Sequence, residues 1–565
     1  MSGIIGFTLG PSLSLRNGAK VILQGMQSLI SHKDFYVKDE LFCDEYMCAT
    51  RSSINILQKQ PQPHYELGIH VWFDGEFYNQ AELREEIDAP EGDDPGLLLS
   101  LFRRNGDFRF LKGIDGIYSA VIYDSVRQQL HLVTDSYGLR PLYWTVHKGC
   151  LVWGTEVKAM LALPGYAPRI DRQAVEEFFS IGYLIKDRTW FEDVKLVPSG
   201  TVLTWDLKQQ TVNAQRYWWW DEIKPLAGKI DEREIAEELG RLFIDAVRRR
   251  SREGERVGTR LSGGCDSRAV LAAMPDQGYP ICAVTFGKED CPDIRISRSA
   301  AKVKGALHYI IHLNERNWFM ARVNGVWWTD GQLDLMHMHG MEGLPQMKKL
   351  FDITLGGDFA GASLSGTYVR SKLSDLQAIE SRVRRFMNMS NRIDQVYLES
   401  RNPFIDSNLM RFANAIPDRL RANGRIYHMM LLTTFPEFFR SIPWESTGVP
   451  ISWPSLITRG IALSRGIKQR FLQELGRIGL PTKDPHSIAD YTKWIRGEPA
   501  RSFFQKLLNN PTALYLEYIS RQRVLGDWER HLGGGNRADR LCRYLTFEIW
   551  LQQVFEGRYR LVEEE

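Results

Sequence analysis

Over the first two hundred residues, short apolar runs alternate with Gly, Asp and Asn. His70-Val71-Trp72-Phe73 stops at Asp74-Gly75, and Ala120-Val121-Ile122-Tyr123 stops at Asp124-Ser125. Leu130-His131-Leu132-Val133, Pro141-Leu142-Tyr143-Trp144 and Leu151-Val152-Trp153 follow at close spacing. Such runs, with few helical periods between them, predict strands in stacked antiparallel sheets. Helices around Tyr78–Ile87 and Gly96–Arg104 are placed to cover the faces.

After Tyr217 the pattern changes. A charged segment, Asp221 to Glu234, leads into the amphipathic stretch Ile235–Arg248. Apolar runs at Ile281–Phe286, Leu307–Ile311 and Asp352–Leu355 then alternate with helical patterns at Ile294–Lys304 and Asn317–Val326. Alternation of this kind predicts a parallel sheet with its ligand at the carboxyl ends of the strands. The region from Ser371 to Glu565 reads as mostly helical, and Met336-His337-Met338-His339 as strand-like, with both histidines on one face. The boundary between the halves falls near Arg216, giving domains 1–215 and 216–565 in an α/β chain. Its first half is an antiparallel β-sandwich; its second is a parallel-sheet domain with a helical C-terminal region.

A chain of 565 residues has ample length for two to four domains. A hydrophobic share of 43% and a charged share of 25% are those of a globular protein, and a net charge of +3 is too near balance to argue for a nucleic-acid partner, so none is expected. Arg248-Arg249-Arg250-Ser251-Arg252 reads as a solvated helix end. No apolar run approaches the length of a bilayer span and the N-terminus lacks a charged stretch before its apolar one, so a cytoplasmic protein without a membrane partner is expected. Seven cysteines, none in a Cys-x-x-Cys pair, support neither a disulfide framework nor a zinc knuckle. Sixteen tryptophans, three consecutive at Trp218-Trp219-Trp220, read as packing or as a stacking platform for ligand.

The densest chemistry lies in Thr259-Arg260-Leu261-Ser262-Gly263-Gly264-Cys265-Asp266-Ser267-Arg268, between a strand and an apolar helix start. Gly263 and Gly264 let backbone N–H groups approach an anion, and the helix N-terminus adds a favourable dipole. Ser262 and Ser267 supply hydroxyls, and Asp266 can hold a cation that screens polyphosphate charge. This is a pyrophosphate cradle. It lacks the Gly-Lys-Ser/Thr ending of a Walker loop and the third glycine of a dinucleotide fingerprint.

Ser-Gly-Gly-x-Asp-Ser resembles the loop of the ATP pyrophosphatase domain of asparagine synthetases and their relatives, which pass AMP to a carboxylate. The first half carries further likenesses. Phe73-Asp74-Gly75-Glu76-Phe77-Tyr78-Asn79, Thr134-Asp135 through Pro141-Leu142-Tyr143, and Gly154-Thr155-Glu156-Val157-Lys158-Ala159 are similar to segments of class II glutamine amidotransferase domains. Glu399-Ser400-Arg401-Asn402-Pro403-Phe404-Ile405-Asp406 is similar to a motif of the synthetase half. The resemblance implies an Ntn-hydrolase-like αββα domain followed by an adenine nucleotide α-hydrolase-like domain.

Two departures shape the expected activity. An amidotransferase of this class attacks glutamine with an N-terminal cysteine. Here Met1 precedes Ser2, no cysteine stands before Cys43, and Asp74 replaces the amide expected in the oxyanion turn. A carboxylate there repels a developing oxyanion, so a remnant without glutaminase activity is expected, although Arg51 and the Gly75 turn persist. Arg268 after the loop motif, and a segment Ile442–Pro450 without the lysine of asparagine synthetases, resemble the lasso peptide cyclase branch.

That branch implies an ATP-dependent ligase acting on a precursor peptide, a ribosomally made substrate. An Asp or Glu side chain is adenylated and then attacked by the peptide's own N-terminal amine, forming a macrolactam. A leader-peptide-binding protein and a leader peptidase are the implied partners. Two alternatives stay open: a β-lactam or asparagine-type synthetase acting on a small acid, and a non-catalytic scaffold of the same fold.

The resemblance also implies the site. Leu261 and Thr285-Phe286-Gly287 would hold adenosine, and Ser262, Gly263, Gly264 and Ser267 the pyrophosphate. Asp266 and Asp358, the latter in Gly356-Gly357-Asp358-Phe359-Ala360-Gly361, would share Mg²⁺. Glu399 is the candidate base, or else a salt-bridge partner of Arg401 or a helix cap. Asp293 is a candidate helix N-cap, and His337, His339 and Glu445 are candidate pocket lining.

Overall fold

The computed structural model describes residues 3–10, 13–218, 220–227, 231–276, 278–289, 291–364, 378–454 and 488–560, with scattered positions between 457 and 467. Ser2, Trp219 and parts of the expected C-terminal helical region lie outside the described residues. The chain divides into two compact units. The first is 1–222 with 328–332 and 379–397; the second is 223–327, 333–378 and 398–565.

The first unit holds a seven-stranded and a six-stranded sheet, antiparallel throughout. The two sheets share one core, in which Ile4, Ala49, Leu151 and Trp153 of one meet Trp72, Val121, Leu132 and Leu203 of the other. The expected strands are present at Ile69–Phe77 and Gly116–Asp124, which pair over their full lengths and are buried along most or all of them. Helix Ala19–Ile30 packs on Gly3–Thr8 and Met47–Ser53, and helix Asp94–Asn105 packs on Ile69–Phe77. The second helix starts where Asp93 accepts from Gly96 N at 3.1 Å and ends at Gly106, whose φ is +68°. Among the sequence expectations, Pro141–Trp144 is shifted: the strand there is Tyr143–His147.

One cysteine expectation needs correcting. Cys43 and Cys48 face each other across a short hairpin, their Cα atoms 4.2 Å apart, and are disulfide-bonded. Trp218 and Trp220 are both buried with ring centroids 5.7 Å apart, which favours packing over a ligand platform for these two.

The second unit is built on a five-stranded parallel sheet in the order Leu307–His312, Cys282–Gly287, Val257–Arg260, Ile353–Leu355, Glu399–Arg401. The described residues after Ser371 are mostly helical, as expected, and the fifth strand is an addition that the sequence pattern does not give. Three residues of strand pairing leave no periodicity to detect, and helices surround them. Helix Glu232–Arg249 is capped by Asp231, which accepts from Arg233 N at 2.8 Å. The basic cluster at its end splits in character. Arg248 is exposed as expected, whereas Arg250 is fully buried and donates to Asp406 at 2.9 Å.

Candidate functional site

The central strand Val257–Arg260 runs into the glycine loop, and helix Cys265–Ala273 follows with Gly264 in extended geometry at its N-cap. No side chain caps that helix, so its first-turn amides face the loop. The loop amides find oxygen acceptors. Ser262 N donates to Ser267 Oγ at 3.0 Å, Gly264 N to Ser262 Oγ at 3.2 Å, and Gly263 N to Asp293 Oδ1 at 2.8 Å. These three amides are satisfied within the protein, so an anion entering the turn would have to take them from the two hydroxyls and from the Asp293 carboxylate. Asp293 is therefore no N-cap. Cys291 holds that position, and the Asp293 carboxyl, pushed up in pKa by burial, anchors the loop from outside it.

Asp266 and the loop after Ile353–Leu355 approach closely. A Cβ added to Gly357 would lie 2.5 Å from Ser267 N, so only glycine lets the second acidic loop reach the first turn of the helix. Phe359, next to Asp358, has φ +74°, a strained value for a bulky residue and one that clusters at functional sites. Burial raises the Asp266 carboxyl to about 6; the Tyr427 hydroxyl, donating to Asp266 Oδ1 at 2.8 Å, opposes this, while the charge of Asp358 adds to it. Arg260 Nη2 stands 3.6 Å from Asp358 Oδ2. Two neighbouring carboxylates that repel each other, joined over a glycine cradle, fit a hard divalent cation such as Mg²⁺. Asp266 and Asp358 would hold it, and its chemistry there is to screen polyphosphate charge.

The residues expected at adenosine have mixed placements. Leu261 is buried, with its amide on Val284 O at 2.8 Å and its carbonyl accepting from Thr285 Oγ1 at 2.7 Å. The Thr285 hydroxyl is also 2.8 Å from His308 Nε2, so it positions the loop. Phe286 is partly exposed and packs against Gly340, where a Cβ would meet its ring at 2.6 Å. Gly287 ends the strand beside Cys291, whose sulfur would lie 2.8 Å from an added Cβ.

Met336–His339 is not a strand. Asp334 accepts from Met336 N at 2.9 Å and starts a tight helical turn, Leu335–His337, which ends at Met338; Gly340, with φ +83°, precedes the next turn, Met341–Gly343. His337 Nδ1 pairs with Asp334 Oδ2 at 2.7 Å, and Asp334 raises its pKa against the effect of burial. His339 stacks on Tyr491 and shares a 2.8 Å bond with its hydroxyl. Burial first, then the charges of Arg322, His337 and Arg260, hold His339 neutral, well below the ordinary histidine range. Glu445 lies over the glycine loop, its amide donating to Gly263 O at 3.2 Å.

Glu399 is buried and begins the edge strand, paired with Ile353. The acidic loop instead leaves the carboxyl end of that pair, at Leu355 and Arg401. Arg401 bonds Glu255 at 2.8 Å through Nη2, and the strand excludes the helix-cap alternative for Glu399. The sequence offers Asp293 as a cap with a substrate role rather than as an anchor of the glycine loop, and gives no sign of the contacts of Arg260, Tyr427 and Tyr491. Their contacts span tens of residues or more, beyond any local spacing.

In the first unit, Asp74 is buried beside Gly75, whose φ is +127° and whose added Cβ would lie 2.1 Å from Ile117 O. Arg140 Nη1 is 3.5 Å from Asp74 Oδ1. Arg51 is engaged by the protein itself: Asp39 Oδ2 at 2.8 Å, Gln58 O at 2.9 Å and Gln60 O at 3.0 Å. Lys158 is fully buried, contacts Glu156 and lies 3.1 Å from Asp330.

Comparison with known proteins gives two domain matches. Residues 1–218 match a glutamine amidotransferase domain and residues 238–339 match asparagine synthase. The second match holds the glycine loop and both histidines but ends before Asp358, Glu399 and Glu445. A putative glutamine-hydrolysing asparagine synthetase 2 of Methanocaldococcus jannaschii is 28% identical over 36% of this chain and 40% of its own. The human glutamine-hydrolysing asparagine synthetase is 26% identical over 45% and 46%, and the amidase chry2 of Gibberella zeae 28% over 48% and 43%. The chain thus aligns with under half the length of each. Among the described residues, no helix is long and apolar enough to cross a membrane.

Proposed function

We propose, from the asparagine synthetase-like pair of domains that this chain carries, that it is an ATP-dependent, AMP-forming amide ligase. The carrying observation is the approach of the Asp358 loop, over Gly357, to Asp266 at the start of the helix that follows the Gly-Gly turn. In this reading the loop binds the β- and γ-phosphates, a substrate carboxylate oxygen attacks the α-phosphorus, and the bond from that phosphorus to the bridging oxygen breaks. Pyrophosphate leaves with the electron pair. An amine then attacks the acyl-adenylate and AMP departs. Ser262, Gly263, Gly264 and Ser267 orient the leaving group, and Asp266 and Asp358 would hold a cation whose charge would stabilise it.

The finer reading is a lasso peptide cyclase, in which carboxylate and amine belong to one precursor peptide, with a leader-binding protein and a leader peptidase as partners. Two features support it. Asp74 is ion-paired and Arg51 already engaged in the first unit, which disfavours ammonia from glutamine as the nucleophile. Arg268, fully buried, donates to Gly264 O at 2.8 Å and to Phe438 O and Ile442 O at 3.4 Å, tying the lysine-free segment to the glycine loop. Incubation with ATP, Mg²⁺ and a leader-free peptide that carries a free N-terminal amine and an Asp or Glu side chain tests this reading: AMP and a product lighter than the peptide by one water are expected. Turnover with small acids and ammonia, but not the peptide, would point to the asparagine-type alternative.

A further inference from the structure

Arg260 is the last residue of the central strand, with Leu261 and Ser262 between it and the glycine pair, and its side chain is 14% exposed. Its guanidinium contacts Asp358 and its charge reaches His339, so it stands where the second acidic loop and the strand ends converge. A guanidinium at 3.6 Å and a divalent cation are rivals for the same carboxylate oxygens. A cation that takes Asp358 Oδ2 competes with Arg260 for that oxygen. The displaced group is a planar fork of N–H donors, set beside a loop built for an anion, and its best new partner there is a phosphate.

We propose that Arg260 exchanges partners, holding Asp358 until metal and nucleotide load and then contacting the phosphates that leave as pyrophosphate. It thereby disfavours metal binding without nucleotide and stabilises charge on the leaving group once nucleotide is present. This rests on the ATP-using reading above, but its first half, competition for Asp358, does not.

The test uses the full chain, as wild type, Arg260→Gln and Arg260→Lys, with Asp358→Asn as the control for where metal binds. Binding of Mn²⁺ alone is followed by the electron paramagnetic resonance of the free ion. Binding of α,β-methylene-ATP with Mn²⁺ is followed by calorimetry. Arg260→Gln is expected to bind Mn²⁺ alone about two- to fivefold tighter, the range of a partly exposed ion pair. It is expected to bind the nucleotide analogue about tenfold more weakly, through loss of a charge-assisted hydrogen bond. Arg260→Lys, which keeps the charge and loses the fork, falls between on both.

Opposite signs are the signature, because a merely structural ion pair moves both affinities the same way or only lowers the melting temperature. Mn²⁺ affinity unchanged or weakened in Arg260→Gln overturns the competition. Unchanged analogue affinity overturns the phosphate contact. If the wild type itself binds no analogue, the ligase reading and the phosphate contact fall together, and the Mn²⁺ titration alone still decides the competition.

Discussion

Tyr427 donates its hydroxyl hydrogen to Asp266 Oδ1 at 2.8 Å, from a helix more than 150 residues further along the chain. That bond lowers a carboxyl that burial has raised to about 6. The folded value exceeds the ordinary one of about 3.9, so the native state holds the proton more tightly. Stability from this group is full below pH ~4 and lost as pH rises to about 6. Cation binding, which needs the ionised form, runs the opposite way and weakens as pH falls through 6. Tyr427→Phe removes the opposing bond and moves the midpoint of the Mn²⁺ affinity–pH profile upward. A midpoint unchanged in this variant would dissociate Tyr427 from Asp266.

Gly357→Ala places a methyl 2.5 Å from a backbone nitrogen that cannot step aside. The acidic loop must withdraw from the helix N-terminus. A loss of about 1–3 kcal/mol in stability is expected from such overpacking, with a larger proportional loss of nucleotide affinity. Thermal melting and calorimetric titration measure the two, and retained nucleotide affinity would show that the approach of the loops is not needed.

Lys158 lies between Glu156 and Asp330 with its side chain fully buried. Burial opposes its charge, but the two carboxylates outweigh that and raise its pKa. Lys158→Met leaves two buried carboxylates without their shared cation. A loss of about 3–5 kcal/mol is expected in the denaturant transition of the first unit, and a loss under 1 kcal/mol would contradict the account.

Glutamine is expected to release no glutamate above the uncatalysed rate, with or without ATP. Asp74→Asn is expected not to restore hydrolysis, because Arg51 remains engaged by Asp39, Gln58 and Gln60. Glutamate release, measured by coupled assay, would identify glutamine as the amine donor and remove one support of the peptide reading.

Much of the sheet architecture follows from local pattern. Ile69–Phe77 and Cys282–Gly287 announce themselves by apolar runs bounded by turn residues, and Gly263-Gly264 marks the strand-to-helix loop. Local pattern fails where an element is short or a contact distant. Met336–His339 alternates like a strand, but Asp334 captures Met336 N and turns the chain instead. Glu399–Arg401 is three residues long and takes its identity from its neighbour Ile353–Leu355. The glycine loop was legible because its chemistry lies in consecutive residues. Asp293, Tyr427 and Arg260 complete it through contacts from 30 to 161 residues apart for the first two, and through a separate acidic loop for the third.

The most direct test of the ligase account is the identity of the nucleotide product when ATP labelled at the α-phosphate is turned over with the precursor peptide. The account predicts labelled AMP with stoichiometric pyrophosphate, abolished in Asp266→Ala. Labelled ADP with inorganic phosphate, or AMP formation undiminished in Asp266→Ala, would contradict it.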